Sequence, residues 1–414
     1  MNRREFMRQT TAGTVLTAAA GEAADAASNA SDLPKTQASP KPDLGSHWPL
    51  FERLSAKCRP SKSFLEDRYT DPAAWAEEAR ATLLADFHYD PEPCDPNPEL
   101  VESVDRGAFV RERVFINTTP DIRIPVYVLI PKNAPKPAPA IVCLHDHGGF
   151  YFWGKEKVVG VEPENPALTS FKETYYSGRS IADELATRGY VVIASDMLHW
   201  GERAMYFEDD PERIKNRTLD VTQEVITAFN ARSWAHEELL SRTALTCGAT
   251  WSGIIVRDDH RVADYLLTRP EVDPDRVGCC GLSLGSVRTI FLGAIHPRVR
   301  ASVAVCWMAE YQPMARNHVR NGIGFTKLVP GLYNDLDWPD LGGLHLPGHL
   351  MTISGFQDQL FPIDAARAAT AKLERIFEKA GAPQNYTAVY FDGPHEFNAT
   401  MQDKAFAWLG EKLA

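Results

Sequence analysis

The sequence predicts an α/β fold, with a mostly parallel central sheet, helices on both of its faces and a helical extension ahead of it. Three observations carry this reading. After Pro131 the chain repeats one grammar: a short apolar run, a loop, an amphipathic stretch. Runs such as 140–144 and 190–194 are apolar at nearly every position, as strands buried on both faces are. One of the later runs, 276–281, passes through a glycine-bounded turn straight into a helical stretch.

The elements follow in order. The chain opens Asn2-Arg3-Arg4-Glu5-Phe6, with a short, mildly apolar run from Thr10 to Ala20 and small residues around Ala24-Asp25-Ala26. Residues 1–26 therefore read as a twin-arginine-type signal, which implies export to the periplasm or the medium. The run is too short to span a bilayer. Residues 27–45, rich in Ala, Ser, Pro and Lys, read as a linker, and 46–414 as the folded domain. Within it, 46–100 carries helical patterning, clearest over 72–84. Residues 110–117 and 122–130 alternate apolar and polar around Thr118-Thr119-Pro120-Asp121, a hairpin pattern.

The buried strand at 140–144 comes next, then a helix over 180–188 stopped by Gly189, then the strand at 190–194. Residues 201–250 are less regular and read as an insertion over the strand ends. A helix spans 256–268, a turn 273–275, a strand 276–281 and a helix 287–294. Strands at 299–307, 350–354 and 386–391 complete the sheet.

The formal net charge of −11 disfavours nucleic acid and anionic membranes as partners. The seven cysteines form no CxxC pair and show no zinc spacing. Cys143, Cys279, Cys280 and Cys306 lie in apolar runs and read as small core residues, whereas Cys58 and Cys94 are candidates for a disulfide in an oxidising compartment.

Gly281-Leu282-Ser283-Leu284-Gly285 fits G-x-S-x-G between a strand and a helix. A serine at the tip of so tight a turn needs glycines on either side, and the turn presents its Oγ beyond the sheet edge. Ser283 is the expected nucleophile. The N–H of Leu284 and that of Gly149, in the loop His145-Asp146-His147-Gly148-Gly149 after the first buried strand, are the expected oxyanion donors, with Phe150 a near competitor. His145 and His147 also invite a metal reading, against the simpler one that they brace the loop.

A serine needs a base, and the base a carboxylate, in the chain order Ser, acid, His. Asp358 follows the strand at 350–354 and is the expected acid, ahead of Asp364. His395 lies in the loop after 386–391 and is the expected base, since His345 and His349 precede the acid. No cofactor or metal is implied.

His145-x-His147-Gly148-Gly149, Gly154-Lys155-Glu156, Asp196-Met197-Leu198-x-x-Gly201-Glu202-Arg203 and the elbow together resemble bacterial α/β-hydrolases of the acetyl xylan esterase and dienelactone hydrolase-like group. The resemblance runs from about residue 105 to the C-terminus. It implies the α/β-hydrolase fold and a carboxylic ester substrate, small or carbohydrate-borne, such as an acetylated sugar. Dienelactone hydrolases carry cysteine at the elbow where this chain has Ser283, which favours ordinary esters.

Within the subgroup motifs, Asp196 and Arg203 read as an ion pair holding a loop. Trp153, Trp200, Trp251 and Trp307 read as core or as a sugar-stacking wall. A peptidase on the same triad, a non-catalytic carbohydrate-binding protein and a metal-dependent lactonase using His145 and His147 are the competing readings.

Overall fold

A computed structural model describes residues 41–206, 210–211 and 221–414. The expected signal at 1–26, and the linker up to residue 40, lie outside them. Among the described residues nine strands form one sheet: β1 (Glu99–Asp105), β2 (Phe109–Thr119), β3 (Ile122–Pro131), β4 (Ala138–Leu144), β5 (Val191–Ser195), β6 (Val272–Leu282), β7 (Val299–Val305), β8 (His349–Gly355) and β9 (Tyr386–Phe391). Their spatial order is β1-β2-β3-β5-β4-β6-β7-β8-β9. β1, β2 and β3 run antiparallel onto β5; from β5 through β9 every neighbouring pair is parallel.

The principal helices are α1 (Trp48–Ser55), α2 (Pro72–Asp86), α3 (Ile181–Thr187), α4 (Gln223–Thr246), α5 (Trp251–Leu267), α6 (Leu284–Ile295), α7 (Ile363–Lys379) and α8 (Ala399–Lys412). The strand pleat explains the apolar runs. Ile141, Cys143, Val192, Ala194 and Cys280 join a core with Ile181 and Leu185 of α3 and Phe406 and Leu409 of α8. Their neighbours Ala140, Val142, Leu144, Val191, Ile193 and Cys279 join another core with Val262 and Leu266 of α5. These central runs are covered on both faces, so they are apolar throughout.

Two expectations need correction. The extension is not helical to residue 100: beyond α1 and α2 it runs irregularly, and Glu99–Asp105 forms the edge strand β1, paired with β2. The expected turn at 273–275 lies inside β6, where Ala138 pairs with Val272 and Ala140 with Val277, so the intervening residues bulge.

The extension is fastened to the helix that follows the elbow. Phe87 meets Phe291 edge-on at 5.1 Å. Arg80 donates from Nε to the carbonyl of Ala294 at 2.6 Å, satisfying one of the orphan acceptors at the end of α6. Among the described residues, no helix is long and apolar enough to cross a membrane. Cys58 and Cys94 are free thiols.

Candidate active site

The parallel register brings the relevant loops to one edge. Leu144, the last residue of β4, pairs with Gly281; Leu282 of β6 pairs with Val305; Gly355 of β8 pairs with Phe391 of β9. The segments holding residues 145–149, 283, 358 and 395 therefore leave the sheet at the C-terminal ends of β4, β6, β8 and β9, where open α/β sheets form their crevices.

Ser283 has φ +57° and ψ −116°, a conformation that side chains other than glycine rarely adopt. It is held there by its N–H, which donates to Val305 O at 2.8 Å, and by its carbonyl, which accepts from Val287 N at 3.0 Å. The flanking glycines are required by contact. A Cβ on Gly285 would lie 2.1 Å from Leu144 O, and one on Gly281 would lie 2.5 Å from Gly285 O. Leu284 opens α6, and the N–H groups of a helix's first turn have no intrahelical acceptor.

Asp358 and His395 meet: Asp358 Oδ2 lies 2.7 Å from His395 Nδ1. The other carboxylate oxygen accepts the N–H groups of Leu360 at 2.8 Å and Phe361 at 3.1 Å. The Asp358 side chain is buried. An acid in that position places the imidazole proton on Nδ1 and leaves the Nε2 lone pair available. The Phe361 ring stacks on the imidazole at 5.9 Å.

Cys306 ties this pair to the elbow. It follows Val305, which accepts the Ser283 N–H, and its thiol donates to Glu396 O at 3.5 Å, close to both Asp358 and His395. Burial raises the Cys306 pKa, so the thiol stays neutral and fills space. Of the rivals, Asp364 lies in the first turn of α7, and His345 is buried with Nε2 against Ile290 O at 3.1 Å.

The loop after β4 is braced from several sides. The ammonium of Lys157, buried, donates to Asp146 O and His147 O, both at 2.9 Å. Trp200 Nε1 donates to His147 O at 3.2 Å, and Tyr176 OH to Asp146 Oδ1 at 2.5 Å. The N–H of Gly149 donates to His147 Nδ1 at 3.0 Å and that of Phe150 to His147 O at 3.3 Å. The N–H of His147 makes no hydrogen bond among the described residues.

Both ring nitrogens of each loop histidine have protein partners. His145 Nδ1 faces Asp146 O at 2.8 Å and its Nε2 accepts the Met197 N–H at 3.1 Å. His147 Nε2 lies 2.7 Å from Glu237 Oε1, on α4. No lone pair is left on either ring for a metal, and both histidines act as braces. Burial, with Arg288 and Lys157 nearby, pushes the His145 pKa well down and keeps that ring neutral.

The motifs 154–156 and 196–203 form one buried cluster, with pairings other than those expected. Asp196 pairs with Lys155 at 2.7 Å, while Arg203 pairs with Asp258 at 2.7 Å and touches only the backbone carbonyl of Asp196. Lys155 also reaches Glu202 at 2.6 Å and Glu156 at 3.0 Å. Burial alone would lower the Lys155 pKa, but Asp196, Glu156 and Glu202 more than offset it. Beneath the elbow, Arg288 of α6 clamps Asp259 of α5 with bonds of 2.8 and 2.6 Å.

Trp153, Trp200, Trp251 and Trp307 are all buried and belong to the core. The exposed indole beside the loop is Trp234 on α4, 59% accessible, with its ring 5.3 Å from that of His147. Lys327 lies 6.0 Å from the Phe361 ring, and burial lowers its pKa to about 8 against the opposing pull of Glu237. Glu237, Trp234 and Lys327 carry no signal of their own in the sequence, because their partners lie far away along the chain.

The chain is 25% identical over 323 residues to the Bacillus subtilis (strain 168) protein named "Putative hydrolase YtaP", spanning 77% of this chain and 94% of that one. Its fold matches a "putative acetyl xylan esterase" of Bacteroides fragilis NCTC 9343, with TM-score 0.65 and 19% identity over 84% of this chain and 83% of the other. It also matches a glucuronoyl esterase from Solibacter usitatus, with TM-score 0.57 and 17% identity over 86% and 98%. A sequence model of the abhydrolase family covers residues 46–392, and the chain therefore belongs to the abhydrolase family and has the α/β-hydrolase fold.

Proposed function

We propose that this protein is a serine esterase that cleaves carboxylic esters through an acyl-enzyme, with short acyl groups on carbohydrates as its substrates. His395 Nε2 takes the proton of Ser283 as Oγ attacks the ester carbonyl. The imidazolium that forms is stabilised by Asp358. The tetrahedral intermediate collapses with transfer of that proton to the departing alcohol oxygen. Water, deprotonated by the same histidine, then attacks the acyl-serine, releasing the acid and returning the proton to Ser283.

The observation that carries this reading is the 2.7 Å contact between the buried Asp358 carboxylate and His395, two strand ends away from a serine held at φ +57°. For the oxyanion, the Leu284 N–H is one donor. In the loop the N–H of His147 is the better second donor, because that of Gly149 is taken up by His147 Nδ1. The carbohydrate assignment draws on the fold shared with proteins named as acetyl xylan and glucuronoyl esterases, and on the exposed Trp234, whose flat apolar face suits a sugar ring. The twin-arginine start adds that the enzyme works outside the cytoplasm.

The test is hydrolysis of p-nitrophenyl acetate and of acetylated xylan by wild type and Ser283→Ala. The reading expects both activities in wild type and a loss of at least roughly 10³-fold in the variant. Equal rates would remove Ser283 from the reaction.

A further inference from the structure

Glu237 is a buried carboxylate in an unusual place. It sits on α4, within the insertion, and its side chain is 6% accessible. Burying a carboxylate is costly unless it is paired and hydrogen-bonded. Its Oε1 receives two donors, His147 Nε2 at 2.7 Å and Tyr151 OH at 2.8 Å. Burial alone would raise its pKa, but His147 and the bond from Tyr151 more than reverse this, and the group stays ionised.

An ionised acceptor at Nε2 places the His147 proton there, which leaves Nδ1 as an acceptor. Nδ1 takes the Gly149 N–H at 3.0 Å. The ring is thus pinned at both nitrogens, and it packs edge-on against Trp200 at 4.9 Å and Tyr151 at 5.4 Å. The His147 carbonyl is held by Lys157 and Trp200. The peptide preceding His147 is fixed as well, because Asp146 O accepts from Lys157 Nζ at 2.9 Å. In a trans peptide the N–H points opposite to the carbonyl, so the His147 N–H is directed away from the buried Lys157. It is the polar group of this residue without a partner among the described residues, on the loop whose strand end abuts the elbow.

We propose that Glu237 is a positioning residue: through His147 it fixes the loop after β4 so that the His147 N–H is preorganised for the developing oxyanion. This rests on the serine-esterase reading above. It gives the insertion helix a share in catalysis as a strut that never touches substrate, and it accounts for a charge buried between α4 and the loop. Preorganised donors act on the transition state more than on the ground state.

The experiment compares wild type, Glu237→Gln and Glu237→Leu, all checked for native circular dichroism and denaturant midpoint. It measures kcat and KM for p-nitrophenyl acetate and the inhibition constant of a trifluoromethyl ketone, whose serine adduct carries an oxyanion. Leucine removes the acceptor and is expected to lower kcat by roughly 10²-fold, with KM within about twofold and ketone affinity reduced in step with kcat. Glutamine keeps an acceptor oxygen at the same place without the charge, and is expected to lower kcat and ketone affinity together by roughly tenfold, whether or not the leucine variant folds. Unchanged kcat in a folded variant, or ketone affinity unchanged while kcat falls, would overturn the proposal. If wild type itself neither hydrolyses the acetate nor binds the ketone, the esterase reading fails and this proposal falls with it.

Discussion

The substitution Gly285→Ala probes how tightly the elbow is built. An added Cβ would stand 2.1 Å from Leu144 O, well over 1 Å inside the 3.4 Å at which ordinary contact begins, and 3.0 Å from His145 O. Neither atom is the free end of a side chain. Leu144 is the last residue of β4, which lies between β5 and β6, and both carbonyls belong to the backbone that leads into the braced loop. The clash can be relieved only by moving the start of α6 away from β4 by about 1 Å. Overpacking of this kind costs about 1–3 kcal/mol, and the rigidity of both partners puts the expected loss near the upper end. On the proposed mechanism, a displacement of ~1 Å at Ser283 and the neighbouring Leu284 N–H is expected to lower kcat by roughly 10²-fold.

Urea unfolding and acetate hydrolysis read the two effects. Gly107→Ala is the control: Gly107 has φ +77° with nothing within 4 Å of an added Cβ, so the change costs about 1–2 kcal/mol of backbone strain and leaves kcat alone. A Gly285→Ala protein with wild-type midpoint and kcat within twofold would refute the claim that the elbow depends on this contact.

Two further outcomes concern stability. Lys155→Met leaves Asp196, Glu156 and Glu202 facing one another without their shared cation, and equilibrium unfolding should show a loss of about 3–5 kcal/mol; a loss under ~1 kcal/mol would mean that the cluster is not held by charge. His345 has its pKa lowered by burial to about 4, below the unfolded value of 6.5, so its contribution is complete above pH 6.5 and is lost as pH falls from there towards 4. The decline amounts to about 3 kcal/mol, and His345→Gln should flatten the stability profile over that range; an unchanged profile would contradict the assignment.

Much of the fold was legible because strands covered on both faces cannot hide. The runs 140–144 and 190–194 are apolar throughout, and each reappears as a strand of nearly the same extent. The elbow was legible because only glycine fits beside backbone atoms at 2.1 and 2.5 Å. β1 was not, since its residues are exposed or half-buried and carry no apolar face: Leu100 is 58% accessible.

α4 lies inside the stretch whose sequence pattern is irregular, for a related reason. Its buried positions are Ile226, Phe229, Ser233, Glu237 and Ser241, a helical spacing in which three of five residues are polar. The subgroup motifs were visible, but not their union. Proximity along the chain points Asp196 to Arg203, whereas its partner Lys155 comes from a loop 41 residues earlier. A Cβ on either Gly154 or Gly201 would fall 2.2 Å from Asp196 Oδ1, which explains glycine in both motifs at once, a reason no single motif reveals.

The central claim is that Ser283 is a nucleophile activated by His395. Its most direct test is the intact mass and peptide map of the protein after exposure to a fluorophosphonate, beside His395→Ala. The account predicts one adduct, on the peptide bearing Ser283, formed rapidly in wild type and slowly in the variant. Labelling elsewhere, or at the same rate without His395, would contradict it.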